Sequence, residues 1–204
     1  MNNIAEVCLT DKGSKANLIE IRWHGRARQG VITASEMLAG AALADNKHFF
    51  SFPDFGAERA GAPVRAFTRV SDQPIRHHCT IAEPDVVVLL DPTLLGVVDF
   101  VSGLKPGGTL LINSTLTPQQ VRSKLNIKDA RVFTVNATRI SMDTIGRNIP
   151  NTPMVGALLK AIPVVSKEAA IQEVKNRLGS RVSPKVVEAN VEAFHRSYSE
   201  TQEG

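Results

Sequence analysis

The chain has 204 residues, which fits one domain or a domain with an extension and is long enough to bury a core. Its formal net charge is only +4, with 24 basic and 20 acidic residues interspersed, and this pattern argues against nucleic-acid binding. Only 5% of the residues are aromatic, so the core must be built from Val, Ile, Leu and Ala, as in buried parallel sheets covered by helices.

The amino-terminal residues 1–17 are polar and lack the apolar core of a signal peptide, so we expect a flexible leader before a single domain over residues 18–204. No apolar run approaches the roughly 20 residues that a membrane span needs. We therefore expect a cytoplasmic protein without membrane contact. The two cysteines, Cys8 and Cys79, are too few for an iron–sulfur cluster, which takes about four thiolates. A disulfide stays open, but two reduced thiols are favoured.

The first regular unit has the pattern strand, glycine-bounded turn, helix. Residues 18–24 alternate polar and apolar side chains and predict a strand, and the alanine-rich residues 30–44 predict a helix. The backbone N–H groups at the start of such a helix favour anions, and two arginines in the turn add positive charge. The predicted anion or cofactor site consists of the turn residues Gly25, Arg26, Arg28, Gln29 and Gly30.

Known phosphate-binding motifs fit this turn only in part. Gly25 and Gly30 match the outer glycines of a P-loop, but Val31-Ile32 replace the Lys-Ser/Thr pair that holds phosphate and Mg²⁺. The dinucleotide fingerprint needs a middle glycine where Ala27 stands. A turn that binds nothing therefore stays possible, and a conventional ATP or NAD site is disfavoured.

A second stretch with the character of a binding loop follows the next strand. Residues 48–52 predict that strand, which Pro53 should stop. The stretch from there to Pro63 contains two prolines and two glycines, which bar regular structure, and it carries the adjacent charges Glu58 and Arg59. It is longer than most connections in α/β proteins, and binding residues commonly lie on loops. We therefore include Glu58 and Arg59 in the predicted site.

The remaining pattern alternates strands with helices. Residues 64–70 and 75–79 predict a hairpin, and residues 85–91, with a continuous apolar run between two aspartates, predict a buried central strand. Asp91, at the carboxyl end of that strand, either binds a ligand or caps a helix over residues 94–101, and we favour the cap. Further strands are predicted over residues 107–113 and 131–135, and further helices over residues 117–125 and 137–146.

This alternation predicts an α/β fold, a three-layer α/β/α sandwich with a mostly parallel, Rossmann-like sheet and the hairpin as an antiparallel addition. After Arg147 the strand patterns stop. Three predicted helices, beginning near residues 151, 166 and 183, form a helical C-terminal extension that packs on the domain or on another subunit.

Taken together, these motifs resemble the gamma subunit of the pyruvate/2-ketoisovalerate:ferredoxin oxidoreductase family, which is equivalent to domain III of the fused enzymes. The matching motifs run in order from about residue 18 to residue 198. They are Ile21-Arg22-Trp23-His24-Gly25-Arg26 with Gln29-Gly30, then residues 52–53, 55–56, 58–59, 61–69, 72–76, 83–85, 91–95, 146–147 and 151–157.

The resemblance implies a subunit of an oxidoreductase that acts on the oxo group of pyruvate or a related 2-oxoacid, usually forms an acyl-CoA, and serves anaerobic metabolism. Thiamine diphosphate, Mg²⁺ and [4Fe-4S] clusters are then held by alpha, beta and delta subunits, which pass electrons to ferredoxin. This chain would hold no catalytic residue, metal or cofactor and would be inactive alone. Family members place the Gly25 turn and the Glu58-Arg59 loop near the coenzyme A entrance.

Three residues depart from the family pattern. The family usually has two glycines where this chain has Ala27-Arg28, and a second arginine where it has Ala60. Because alanine and arginine resist positive φ, we expect a reshaped turn in which the Arg28 guanidinium replaces backbone contacts. Another 2-oxoacid, such as an aryl glyoxylate or oxalate, stays open. So do a stand-alone nucleotide-binding dehydrogenase and a purely structural assembly subunit.

Overall fold

The computed structural model describes residues 17–54 and 62–204. The predicted leader, apart from Asn17, and the predicted site residues Glu58 and Arg59 lie outside the described residues. In the described part, one seven-stranded sheet has apolar cores on both faces. None of its helices is long and apolar enough to cross a membrane.

The sheet has the strand order β2-β3-β1-β4-β5-β6-β7. Its strands are β1 (Ile19–Arg26), β2 (His48–Asp54), β3 (Pro63–Ser71), β4 (Val86–Leu89), β5 (Thr109–Asn113), β6 (Arg131–Val135) and β7 (Gln202–Glu203). β1, β4, β5 and β6 are paired in parallel, and β2 runs in the same direction, whereas β3 and β7 are antiparallel to their neighbours. The predicted mostly parallel sheet is confirmed.

The helices cover both faces of this sheet. They are α1 (Val31–Ala44), α2 (Pro118–Leu125), α3 (Ala137–Ile145), α4 (Asn151–Ala161), α5 (Lys167–Gly179) and α6 (Pro184–Glu200). One apolar core joins the sheet to α1, α3, α4, α5 and α6, and a smaller core lies under α2 and the segment after β4. The predicted three-layer sandwich is therefore confirmed. α4 is almost wholly buried and contacts α1, α6 and β5, so it belongs to the same core as the sheet.

The antiparallel addition to the sheet is formed by β2 and β3, not by the predicted hairpin. β3 pairs with β2 on one side and with β1 on the other, so both of its edges are occupied. Residues 75–79 therefore have no free edge of β3 to join, and they form no strand. Arg69 of β3 instead donates to the carbonyl oxygens of His77 and Cys79 at 3.1 and 2.7 Å, which holds this segment beside the sheet.

Three smaller predictions were also wrong. β2 continues through Pro53, since a proline is tolerated on an edge strand. The segment after β4 forms only a 3₁₀ turn over Pro92–Leu94, because Gly96 has a φ of +83° and interrupts a helix there. Cys79 is disulfide-bonded rather than reduced, and Cys8 lies outside the described residues.

Candidate functional site

The predicted turn follows β1, where the strand order of the sheet reverses. β3 and β2 lie on one side of β1, and β4, β5 and β6 lie on the other. From β1 the chain continues through α1, which packs on the larger core, and from β4 it continues into Leu94 and Phe100, which pack on the smaller core. β1 and β4 are parallel neighbours, and because their connections pack on different cores, these connections leave on opposite faces of the sheet. A crevice between such connections, outside the carboxyl ends of the strands, is the usual ligand site of open α/β sheets.

Asp91 ties the two sides of this crevice together. Its carboxylate is buried, and Oδ2 accepts a hydrogen bond from Gln29 Nε2 at 2.8 Å and lies 3.1 Å from Arg26 Nε. Oδ1 accepts from the backbone N–H of Thr93 at 2.8 Å. The predicted cap is therefore confirmed, although it caps a 3₁₀ turn. The same carboxylate also fixes the turn after β1.

Gln29 and Gly25 shape the turn from within. Gln29 Oε1 accepts from the backbone N–H of Arg26 at 3.0 Å, and the Gln29 backbone N–H donates to the Arg26 carbonyl oxygen at 3.2 Å. A Cβ on Gly25 would lie 2.6 Å from Val31 Cγ2, so no side chain fits there. These two predicted site residues therefore serve the geometry of the turn.

The residue that replaces a family glycine takes a glycine-like backbone conformation. Arg28 has a φ of +75° and Gly30 a φ of +78°. The left-handed conformation costs an L-residue roughly 1–2 kcal/mol. Arg28 thus adopts the positive φ that it was expected to resist. Its side chain is exposed and makes no hydrogen bond or ion pair within the described part of the chain.

The start of α1 has no side-chain cap. Its first residue is Val31, and Gly30 at the N-cap provides no side-chain hydrogen bond. No acidic residue occurs in the first turn. The first N–H groups of a helix have no partner within the helix, and the helix dipole favours negative charge beside them. Together with the exposed Arg28, this helix start supplies donors and positive charge at the crevice.

We expect Gly30 to be much less tolerant of a side chain than a matched glycine elsewhere. A Cβ on Gly30 would lie 2.8 Å from Asn151 Nδ2, whereas a Cβ on Gly146, with a similar φ of +75°, meets nothing within 4 Å. Gly146→Ala should cost about 1 kcal/mol through its backbone alone, and Gly30→Ala about 2–4 kcal/mol because overpacking adds to it. Urea unfolding of both variants measures the difference. Equal losses would show that Asn151 does not restrict this position.

Two buried polar residues of β1 were not predicted as part of the site. Arg22 Nε donates to His24 Nε2 at 3.1 Å, and the Arg22 guanidinium also donates to the carbonyl oxygens of Ala82, Phe100 and Ser102. Burial, and then the charge of Arg22 and of Arg65, lowers the pKa of His24 to about 3. The period of two along β1 places both side chains on the face that carries Arg26, and this signal was available in the sequence.

The described residues on either side of the predicted Glu58-Arg59 loop make contacts close to the turn. The carbonyl oxygen of Ala62 accepts a hydrogen bond from the backbone N–H of Ala27 at 3.4 Å. Asp54, which precedes the undescribed stretch, forms an ion pair with Arg65 at 2.6 Å. The described residues on both sides of that stretch therefore lie near the carboxyl end of β1. Among the described residues, no group of three His, Cys, Asp or Glu side chains is arranged to hold a metal ion.

Helices on both faces of a mostly parallel sheet define a doubly wound α/β domain. The family model for pyruvate ferredoxin/flavodoxin oxidoreductase matches residues 20–200. The chain belongs to this family, as the sequence resemblance predicted.

Similar proteins cover nearly the whole chain. The pyruvate/ketoisovalerate oxidoreductases common subunit gamma of Thermococcus litoralis is 44% identical over 180 residues, which are 88% of this chain and 97% of that protein. Pyruvate synthase subunit PorC of Thermotoga maritima is 44% identical over 183 residues, 90% of this chain and 94% of that protein. The crystal structure of the pyruvate oxidoreductase subunit PORC from Thermotoga maritima superposes with a TM-score of 0.81 at 40% identity, and covers 92% of this chain and 98% of that chain.

Proposed function

We propose that this chain is the gamma subunit of a multisubunit 2-oxoacid:ferredoxin oxidoreductase and that its Gly25–Gly30 turn lines the entrance for an anionic substrate. The position of the turn is the observation that supports an anion entrance. The turn lies where the strand order of the sheet reverses, beside an uncapped helix start and the exposed Arg28. Backbone N–H groups and a guanidinium suit phosphate or carboxylate oxygens.

The names of the relatives favour coenzyme A as this anion. The Thermococcus protein is described as a gamma subunit common to pyruvate and ketoisovalerate oxidoreductases. A subunit shared by enzymes with different 2-oxoacids is better suited to contact a cosubstrate that both reactions use than to select the 2-oxoacid. The phosphates of coenzyme A are therefore our first choice, and the 2-oxoacid carboxylate is the second.

In this proposal the cofactors belong to other subunits of a cytoplasmic complex. Thiamine diphosphate, Mg²⁺ and [4Fe-4S] clusters would be held by alpha, beta and delta subunits, which would cleave the 2-oxoacid and pass electrons to ferredoxin. The contribution of this chain would be to assemble with them and to bind the anion.

A stand-alone nucleotide-binding dehydrogenase is not supported. The chain matches nearly the full length of gamma subunits rather than that of a dehydrogenase. In the turn, Gln29 and Arg26 also contact Asp91. In a dinucleotide fingerprint, a glycine backbone would instead approach the pyrophosphate at this place. A purely structural role in the same complex is the remaining competitor, and a kinetic test separates it from anion binding.

Removing one arginine at a time in the assembled complex tests anion binding. We expect Arg28→Ala, and separately Arg59→Ala, to raise the KM for coenzyme A about tenfold or more, because a charge-assisted contact contributes about 1.5–3 kcal/mol. The KM for the 2-oxoacid should change less than about twofold, since the mutation removes binding of one substrate only. Steady-state rates of viologen reduction with each substrate varied in turn provide both constants.

Arg181→Ala is the matched control, because Arg181 is also exposed but lies in the turn between α5 and α6, outside the crevice. It should leave both KM values unchanged. If Arg28→Ala and Arg59→Ala lower activity only by dissociating the complex, the structural role is correct. If the enzyme does not use coenzyme A, the same comparison applies to the KM of the 2-oxoacid.

A further inference from the structure

Arg22 and His24 form a buried polar pair on β1. Arg22 and His24 are 7% and 4% exposed, and they project from the same face of β1 as Arg26 because alternate residues of a strand share a face. Arg65 of β3 is the register partner of His24 on that face. The pair therefore lies on the face of the sheet that also carries Arg26 and Arg65.

The contact between the two side chains fixes the proton of the imidazole. A guanidinium has donors only, so His24 Nε2, which lies 3.1 Å from Arg22 Nε, must be the unprotonated and accepting nitrogen. The low pKa of His24, caused mainly by burial, keeps the ring neutral. A neutral ring whose Nε2 accepts a hydrogen bond carries its single proton on Nδ1.

The Nδ1–H group is a donor for which the described part of the chain offers no acceptor. Within the described residues, His24 makes one side-chain hydrogen bond, through Nε2. Ser51 Oγ is the one fully enclosed side-chain N or O atom without a partner there, so Nδ1 is not sealed from solvent. Arg22 likewise donates to His24 and to carbonyl oxygens, and no carboxylate among the described residues accepts a hydrogen bond from it, although the charge of Asp99 acts on it. An unused donor beside a buried cation favours an anionic oxygen.

We propose that His24 is a ligand-binding residue of this subunit, whose Nδ1–H donates a hydrogen bond to a carboxylate or phosphate oxygen of the anion at the turn. Arg22 is then the positioning residue that keeps the proton on Nδ1. The inference rests on the proposed function, because the anion is the one that Arg28 contacts. It extends the site from the turn down the face of β1, to residues that are neither exposed nor in a loop.

Two substitutions in the assembled complex test the roles of the two ring nitrogens of His24 separately. The amide of Gln lies near the position of Nε2 and can still accept from Arg22, whereas the amide of Asn lies near Nδ1 and can still donate to the ligand. We expect His24→Gln to raise one KM about tenfold or more, and His24→Asn to raise it less than about threefold. A higher KM for coenzyme A identifies a phosphate, and a higher KM for the 2-oxoacid identifies a carboxylate.

The matched control is His195→Gln, since His195 is exposed on α6 and lies outside the crevice. It should change neither KM. If Arg28→Ala raises a KM but His24→Gln leaves both within about twofold, the role of His24 is wrong and the proposed function stands. If neither substitution raises a KM, the proposed function fails as well.

A measurement on the wild-type chain keeps the inference testable if the His24 variants do not assemble. Nitrogen-15 NMR of the full-length, histidine-labelled chain at pH 7 reports which ring nitrogen of His24 carries the proton. We expect protonation on Nδ1 alone, the less common form of free histidine. A ring protonated on Nε2, or on both nitrogens, would overturn the inference.

Discussion

Asp91→Ala should destabilise the chain by about 3 kcal/mol, because one buried carboxylate holds both sides of the crevice. The substitution removes a cap hydrogen bond, with a typical cost of about 1 kcal/mol, and a charge-assisted bond to Gln29, with a typical cost of about 1.5–3 kcal/mol. The contact with Arg26 adds little, since that side chain is one-third exposed and solvent screens its charge. Urea unfolding, with an unchanged m-value, measures the loss.

Two further variants make this result specific. Asp91→Asn keeps one accepting oxygen but turns an amide N–H toward donors, so its loss should be smaller, about 1–2 kcal/mol. Asp129→Ala removes an exposed carboxylate far from the crevice and should change stability by less than about 0.5 kcal/mol. If Asp91→Ala costs no more than Asp129→Ala, the carboxylate does not hold the turn in place.

The stability of the chain should fall by about 2 kcal/mol between pH 7 and pH 5 through His24 alone. The pKa of His24 is lowered to about 3 in the folded chain, while the unfolded chain titrates near 6.5. Between these values the unfolded state binds a proton that the folded state does not. The contribution of the neutral His24 ring to the free energy of unfolding is therefore complete above about pH 6.5. It is lost at up to 1.36 kcal/mol per pH unit as the pH falls toward 3.

His24→Gln should remove this part of the pH dependence, because an amide does not titrate. The free energy of unfolding of the wild type minus that of the variant should shrink by about 2 kcal/mol from pH 7 to pH 5. His195→Gln, on the exposed face of α6, should keep the wild-type profile. If the difference in the free energy of unfolding between wild type and His24→Gln is the same at pH 7 and pH 5, His24 is protonated in the folded chain at pH 5.

The fold was predictable from the sequence where burial and local signals agree. The continuous apolar run of β4 and the capping box of α2, formed by Thr117 and Gln120 around Pro118, are local patterns with one structural solution. The prediction of a hairpin was wrong, although residues 75–79 carry a strand pattern. These residues are excluded from the sheet because β2 occupies the other edge of β3. Sequence proximity could not reveal that competition.

The positions of the turn and of Asp91 in the fold were predictable, but the contacts between them were not. The glycine spacing identified the turn, and the end of β4 identified Asp91. The bond between Gln29 and Asp91 joins residues 62 positions apart, and no local pattern encodes it. The prediction of Arg26 as a cation beside the anion also changes, because its guanidinium lies against Asp91 and Thr93. Arg28, which contacts neither, is the better candidate for the anion.

The most direct test of the central claim is to co-express this chain with the subunits that co-purify with it from its native source, and to measure 2-oxoacid-dependent viologen reduction with and without it. We expect the chain alone to contain no iron and to reduce no dye, and the assembled complex to be active and to depend on this chain. Dye reduction by the isolated chain, or full activity of the complex without it, would contradict the assignment as a gamma subunit.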